Sequence, residues 1–124
     1  MNSLLLVMAG GAAGSGARYV TGRATLAAFG AGYPWGTLIV NLVGGLLMGL
    51  VIGMLARMSA GEHWRLLLAV GALGGFTTFS AFSLEIVLML QRGEIALATG
   101  YALASVIGSC AALVAGLALT RIAA

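Results

Sequence analysis

Residues that can bind or pass an ion, through a side chain or through the backbone, are spread along a chain that is otherwise almost entirely apolar. They comprise one amide, two glycines followed by two threonines, one carboxylate and a row of hydroxyls: Asn41, Gly74, Gly75, Thr77, Thr78, Glu85, Tyr101, Ser105 and Ser109. Amides and hydroxyls donate hydrogen bonds to anions, whereas carboxylates and freed backbone carbonyls attract hard cations. The sequence contains no nucleophile–base pair and no metal-ligand cluster, so these residues indicate ion binding and not an enzyme.

The stretch LGGFTTFSAFS, residues 73–83, predicts a break in a helix. The adjacent glycines add backbone freedom, and the hydroxyls of Thr77 and Thr78 compete for backbone hydrogen bonds. A break inside an apolar segment frees carbonyls, which must then be paired within the protein or with an ion. The two threonines lie at the midpoint of the apolar span 64–91, so we expect the break near the bilayer midplane.

Other polar positions lie on the helices around this break. An amide at Asn41, in an apolar helix, costs free energy unless it is hydrogen-bonded, so it either joins helices or lines a solute path. Thr37 lies one turn earlier on the same face. Tyr101, Ser105 and Ser109 recur every four residues on the last helix and predict a polar, pore-lining row.

Beyond the break, Phe79 and Phe82 are three residues apart and share a helix face if the helix resumes by Phe79. They either pack in the apolar core or present the positive ring edge to an anion. Glu85 follows them, and a carboxylate within a membrane is a candidate functional group, unless a neighbouring hydroxyl merely satisfies it.

The composition indicates an all-α integral membrane protein. Hydrophobic residues make up 61% of the 124 residues and charged residues 7%, against roughly 25% charged in a soluble domain. We predict one domain, 1–124, with four transmembrane helices at about 3–20, 36–56, 64–91 and 95–119. A net charge of +3 on six arginines is too sparse for nucleic-acid binding.

Small residues at intervals of four predict close helix packing. Gly10 and Gly14 form one such pair, and Gly45, Gly49 and Gly53 form a longer stripe. Arg18 follows the first pair. It either reaches the membrane interface or bonds to a partner within the assembly.

The arginines are evenly divided between the two ends of a four-crossing topology. One end has Arg57, Arg65 and Arg121, and the other has Arg18, Arg23 and Arg92. The positive-inside rule sets orientation by imbalance, and here there is none. The sequence therefore predicts insertion in both orientations and an antiparallel, dual-topology homodimer.

Three motifs together resemble the Fluc (CrcB) fluoride channel family over nearly the whole chain. They are GGAAGSGARY at residues 10–19, GTLIVNLVGG at 36–45 and GGFTTFSAFSLE at 74–85. The family's third motif often reads TTFSTFS, and here Ala81 replaces the second threonine of that pattern.

The resemblance implies a bacterial inner-membrane protein, multi-pass, that lets fluoride leave the cytoplasm passively and lowers its toxicity. It implies a dual-topology dimer in the bilayer with two fluoride paths and a central structural sodium ion. It assigns the roles by motif position: sodium carbonyls at Gly74 and Thr77; pore residues Asn41, Phe79, Phe82, Ser80, Thr37, Tyr101, Ser105 and Ser109; the motif's acidic residue at Glu85 and its arginine at Arg18.

Two other functions compete with this prediction. A small multidrug-type, proton-coupled exporter also has four helices, but that family carries its carboxylate on the first helix, whereas here Glu85 lies on the third. A non-transporting assembly subunit would explain the glycine stripes but not the polar rows.

Overall fold

A computed structural model describes residues 2–59 and 61–122, and this part of the chain is helical, with no strand. We label the helices α1 to α5. Their bounds are α1 Ser3–Phe29, α2 Trp35–Met58, α3 residues 62–76, α4 Ser80–Gln91 and α5 Ile95–Ile122. The expected ends of the second and last helices agree with these to within three residues.

The first helix is longer than expected. It continues to Phe29, nine residues past the expected end at position 20, and includes most of the stretch expected to connect it to the second helix. Thr21 and Thr25 donate their hydroxyls to carbonyls one turn back, each at 2.9 Å, so polar residues do not interrupt the helix. Gly30 ends it with a φ of 79°, a conformation that favours glycine.

The third span is broken where the sequence predicted a break. Thr77 is extended, with φ −84° and ψ 161°, and the helix begins again at Ser80 and not by Phe79. Within α3, Arg65–Leu73 is wound as a π-helix. Nothing in the sequence analysis anticipated this wider winding.

The glycine stripe of α2 forms the contact with α5. A Cβ at Gly45 would lie 2.7 Å from the Ser109 carbonyl oxygen, and one at Gly53 would lie 2.9 Å from the Thr120 Cβ. Since both contact positions advance together along the two helices, α2 and α5 run parallel. The absence of side chains lets the two backbones approach closely, as the spacing predicted.

The pair Gly10 and Gly14 lets the backbones of α1 and α3 approach closely. A Cβ at Gly10 would lie 2.7 Å from the Ala72 nitrogen, and one at Gly14 would lie 2.8 Å from the Phe76 nitrogen. From the other side, a Cβ at Gly75 would lie 2.7 Å from the Gly11 carbonyl. The structure therefore joins α1 to the segment just before the break.

Three stretches of the described chain are long and apolar enough to cross a membrane. They are Trp35–Met58, Glu62–Gln91 and Ile95–Ile122. At 27 residues, α1 has sufficient length but is not among them; it carries two arginines. The fourth crossing thus stays a prediction.

Candidate ion-binding groove

A groove of about 500 Å³ lies between α2, the break and α5. It brings together seven of the residues that the sequence analysis singled out for the pore or the cation. These are Asn41, Gly74, Thr77, Phe79, Phe82, Ser105 and Ser109. The remaining wall is apolar apart from one hydroxyl and one thiol, and it consists of Gly44, Gly45, Met48, Thr78, Val106, Cys110 and Leu113. Residues from three distant parts of the sequence therefore share one cavity.

Asn41 holds the broken backbone in place. Its Nδ2 donates to the Thr78 carbonyl at 3.0 Å, and its Oδ1 accepts from the Thr78 backbone N–H at 2.9 Å. Both backbone groups of a residue outside the helix are thereby satisfied by one side chain. The interhelical bond expected as one interpretation of Asn41 is present. An amide nitrogen has two hydrogens, and this pairing uses one.

The hydroxyls of Ser105 and Ser109 are buried and have no hydrogen-bond partner among the described residues. Ser105 is 5% exposed, and both residues line the groove. A buried polar group without a partner costs roughly 1–3 kcal/mol, so such groups are uncommon. Two of them, one helical turn apart and facing one cavity, indicate that a polar ligand or water completes their hydrogen bonding.

Two phenylalanines close one side of the groove. The rings of Phe79 and Phe82 are 5.6 Å apart between centroids, and Phe82 lies 5.3 Å from the ring of Tyr101. Phe82 is 9% exposed, but Phe79 is 75% exposed. Core packing thus explains the position of Phe82. Phe79 contacts the ring of Phe82, but most of its surface is not covered by the described chain.

Thr37, Glu85 and Tyr101 form a separate cluster beside the groove. The hydroxyls of Thr37 and Tyr101 each donate to one carboxylate oxygen of Glu85 at 2.9 Å. The carboxylate is therefore satisfied by neighbouring hydroxyls, as one interpretation expected. Because both hydrogens point at Glu85, neither hydroxyl is free to donate to an anion in this arrangement.

Glu85 and Thr37 also line a second cavity of about 350 Å³ under the loop that joins α1 to α2. Tyr33 of that loop packs edge-on against Tyr101, with 5.5 Å between ring centroids. Burial raises the pKa of Tyr33 above its ordinary value, so its phenol resists ionisation more than an exposed tyrosine does.

Besides Thr37, Glu85 and Tyr101, two further predicted residues lie outside the groove. Arg18 donates from Nε to the Gly75 carbonyl at 3.1 Å, so it bonds within the protein instead of reaching the interface. Ser80 is exposed at the start of α4, with its hydroxyl 3.5 Å from that of Thr78. The sequence analysis placed Thr78 in the break but did not predict that both of its backbone groups bond to Asn41.

The break leaves carbonyls that the adjacent backbone does not bind. Thr77 donates its N–H to Leu73 at 3.0 Å, and Thr78 donates to Asn41, so neither turns back to the Gly74 carbonyl. In the described chain, no group of three or more His, Cys, Asp or Glu side chains forms a metal site. A cation here would have to bind to backbone oxygens, which suit a hard ion such as sodium.

These features define a multi-pass helical membrane protein with a partly polar groove at a broken helix. The family model described as CrcB-like protein, Camphor Resistance (CrcB), matches residues 5–117. The chain belongs to this family.

Several similar proteins are known by name. A protein of Sphingopyxis alaskensis is 56% identical over 98% of this chain and 97% of its own length. Proteins of Caulobacter sp. strain K31 and Phenylobacterium zucineum are 57% and 58% identical over 98% of this chain and 96% and 97% of theirs. All three are named fluoride-specific ion channel FluC.

Proposed function

We propose that this protein is a fluoride-specific ion channel and not an enzyme. The observation that supports this best is the pair of buried hydroxyls at Ser105 and Ser109, which face the groove without partners. Fluoride is a small anion with a tightly held hydration shell, and hydroxyl donors can replace part of that shell. The similar proteins named as fluoride channels support the same function, and nothing in these comparisons supports a proton-coupled exporter.

The groove offers weak sites in series for an anion. Partial positive charge is carried by the second Nδ2 hydrogen of Asn41, by the ring edges of Phe79 and Phe82, and by the hydroxyl hydrogens of the two serines. No arginine lines the groove, so no full positive charge holds the anion. Conduction needs sites that bind strongly enough for entry and weakly enough for exit, and partial charges meet that condition.

The cation at the break is a separate part of the proposal. The carbonyls of Gly74 and Thr77 would bind one sodium ion together with those of a second copy, which doubles the oxygen ligands on a two-fold axis. The ion is structural and is not transported. Support comes from the Thr77 and Thr78 amides, which bond elsewhere.

The assembly is an antiparallel homodimer in the bacterial inner membrane, where it lets fluoride leave the cytoplasm and lowers its toxicity. Support comes from the distribution of arginines and from the large exposed side chain of Phe79, which is available to a second copy. In this assembly α1 is the fourth crossing, packed on α3 through glycines.

Fluoride efflux from liposomes tests the function directly. The purified protein, in liposomes loaded with potassium fluoride, should release fluoride to an electrode without a proton gradient and release little chloride. The double variant Ser105→Ala and Ser109→Ala removes both donors and should slow efflux by roughly 100-fold, if each hydrogen bond to the ion lowers the barrier by about 1.5 kcal/mol.

Ser15→Ala is the matched control, because this exposed serine of α1 lies away from the groove. Its efflux should equal that of the wild type. Equal efflux from the double variant would place the path elsewhere. Absence of fluoride efflux from the folded wild-type protein, with sodium present, would refute the channel function.

A further inference from the structure

A cleft opens between α2 and α5 at the end of the molecule where both helices finish. It has a volume of about 560 Å³ and is distinct from the groove. Its lining consists of Leu50, Met54, Arg57, Met58, Leu119 and Thr120. Three of its apolar side chains, Met54, Met58 and Leu119, are at least half exposed. It is thus an apolar cleft with one cation in its wall.

Arg57 is fixed over this cleft by the neighbouring helix. Its Nη1 donates to the Thr120 carbonyl, near the end of α5. A guanidinium carries five N–H donors in a planar fork, and this bond uses one. Arg121 follows Thr120 directly, so the last turns of both helices carry an arginine at the same end.

Neither arginine has a carboxylate side chain to pair with in this chain. The sequence contains three acidic residues, Glu62, Glu85 and Glu94. Glu62 is bound by Arg65 and Glu94 by Arg92, and Glu85 accepts from two hydroxyls. The positive charge beside the cleft is therefore not neutralised by an acidic side chain.

The depth of the cleft suits a phospholipid. α5 has 28 residues and is therefore ~42 Å long, whereas the hydrocarbon core of a bilayer is ~30 Å thick. With α5 centred and upright, ~6 Å of the helix extends beyond each face of the core, so its last turn, with Arg121 and the carbonyl that Arg57 binds, lies at the level of the headgroups. Leu50 lies two turns deeper along α2, at the level of the acyl chains.

We propose that this cleft binds an anionic phospholipid. The phosphate bonds to the guanidinium groups of Arg57 and Arg121, and one acyl chain lies along Leu50, Met54 and Leu119. Arginine suits a phosphate because its planar fork can donate two parallel hydrogen bonds. The site does not depend on fluoride conduction.

Native mass spectrometry of the detergent-purified protein tests this proposal. The protein is mixed with phosphatidylglycerol or phosphatidylcholine of the same acyl chains, and bound lipid is counted. We expect phosphatidylglycerol to bind at least ~10-fold more tightly, and to raise the thermal unfolding midpoint. Arg57→Gln should reduce its binding to the level of phosphatidylcholine.

Two further variants separate a site from general surface charge. Arg23→Gln removes the same charge outside the cleft and should bind phosphatidylglycerol like the wild type. Leu119→Trp keeps both arginines but fills the cleft at a residue that is 51% exposed, so the fold tolerates it. It should also lose the lipid.

Four results would overturn the proposal. Equal loss of lipid in Arg23→Gln would indicate unspecific attraction. Unchanged binding in Leu119→Trp would show that the acyl chain lies elsewhere. If Leu119→Trp changes the oligomeric state, or if inorganic phosphate stabilises the protein as well as the lipid does, the cleft holds a second copy or a free anion instead.

Discussion

Asn41 shows why an amide, and not merely a polar residue, occupies its position. It donates to one backbone group of Thr78 and accepts from the other, at 3.0 and 2.9 Å. A carboxamide carries a donor and an acceptor side by side on one planar, uncharged group. Asn41 thus stabilises the backbone of the break, and only its second Nδ2 hydrogen is left to bond to an ion.

Asn41→Asp should therefore impair both stability and fluoride efflux. A carboxylate would place an acceptor against the Thr78 carbonyl, which costs about 1–3 kcal/mol for the unsatisfied group, and would add negative charge to an anion path. The thermal midpoint in detergent and the efflux rate measure the two effects.

The chain supplies a control for this substitution. Asn2 only accepts, from the Leu4 N–H at 2.7 Å, as the N-cap of α1. Aspartate caps a helix as well as asparagine does, so Asn2→Asp should change neither property. If Asn41→Asp behaves like Asn2→Asp, then the amide does not hold the break.

The phenylalanines allow packing and conduction to be separated. Phe79 is 75% exposed and Phe82 is 9% exposed. Both substitutions remove an aromatic edge from the groove, so both should abolish or slow fluoride efflux. Phe79→Ile should cost little stability because Phe79 is mostly exposed, whereas Phe82→Ile should also lower the stability. Efflux assays and thermal unfolding of the purified variants distinguish these outcomes.

Phe29→Ile is the matched control, since this ring is 60% exposed but stacks near Trp35, outside the groove. Its efflux should be normal. Wild-type efflux from Phe79→Ile would refute the role of the aromatic edge.

At the scale of elements, glycine sets how closely the helices approach. The groove exists because α2 lies against α5 through Gly45, Gly49 and Gly53, which places Asn41 and the two serines on opposite walls. Any side chain in this stripe would move the walls apart.

Gly49→Ala tests this packing. The added Cβ would lie 3.0 Å from the Leu117 nitrogen and 3.1 Å from the Gly116 Cα, with the Leu113 carbonyl closer still. Overpacking of this kind costs about 1–3 kcal/mol. We expect a lower thermal midpoint and slower efflux.

Gly100→Ala is the corresponding control on α5. Nothing lies within 4 Å of a Cβ at this position, and alanine favours a helix interior by about 0.5–1 kcal/mol. This variant should be as stable as the wild type or more so. An equal loss of stability in both variants would mean that glycine acts through the helix backbone and not through contact.

The sequence predicted the elements well where local chemistry determines them. The break follows from glycines beside threonines, and the close packing follows from regular glycine spacing. The length of α1 was not predictable in this way, because Thr21 and Thr25 satisfy their hydroxyls on their own helix. The pairing of Glu85 with the Thr37 and Tyr101 hydroxyls depends on contacts between separate helices, and the π-helix of Arg65–Leu73 has no counterpart in the sequence pattern.

At the scale of the whole molecule, the structure changes the count of arginines that set orientation. Arg18 lies eleven residues before the end of α1 at Phe29, ~16 Å along the axis, and it bonds to Gly75. It belongs to the interior of the bundle. The ends then carry Arg57, Arg65 and Arg121 against Arg23 and Arg92, so the even division becomes an excess of one arginine at the first end.

A nearly balanced chain should be oriented by one or two added charges. The double variant Ala31→Arg and Gly32→Arg adds two arginines in the loop between α1 and α2, which gives three against four, and Gly61→Arg adds one at the opposite end, which gives four against two. All three positions are exposed, so the fold accepts these changes. By the positive-inside rule the two variants should insert in opposite, single orientations.

Fusion of a topology reporter to the carboxyl terminus measures the orientation of each variant. If the channel is an antiparallel dimer, each variant expressed alone should fail to protect cells from fluoride, because it lacks partners of the opposite orientation. Co-expression of the two should restore protection, since each then supplies the orientation that the other lacks. Full protection by either variant alone, in a single orientation, would show that this protein does not need an antiparallel partner.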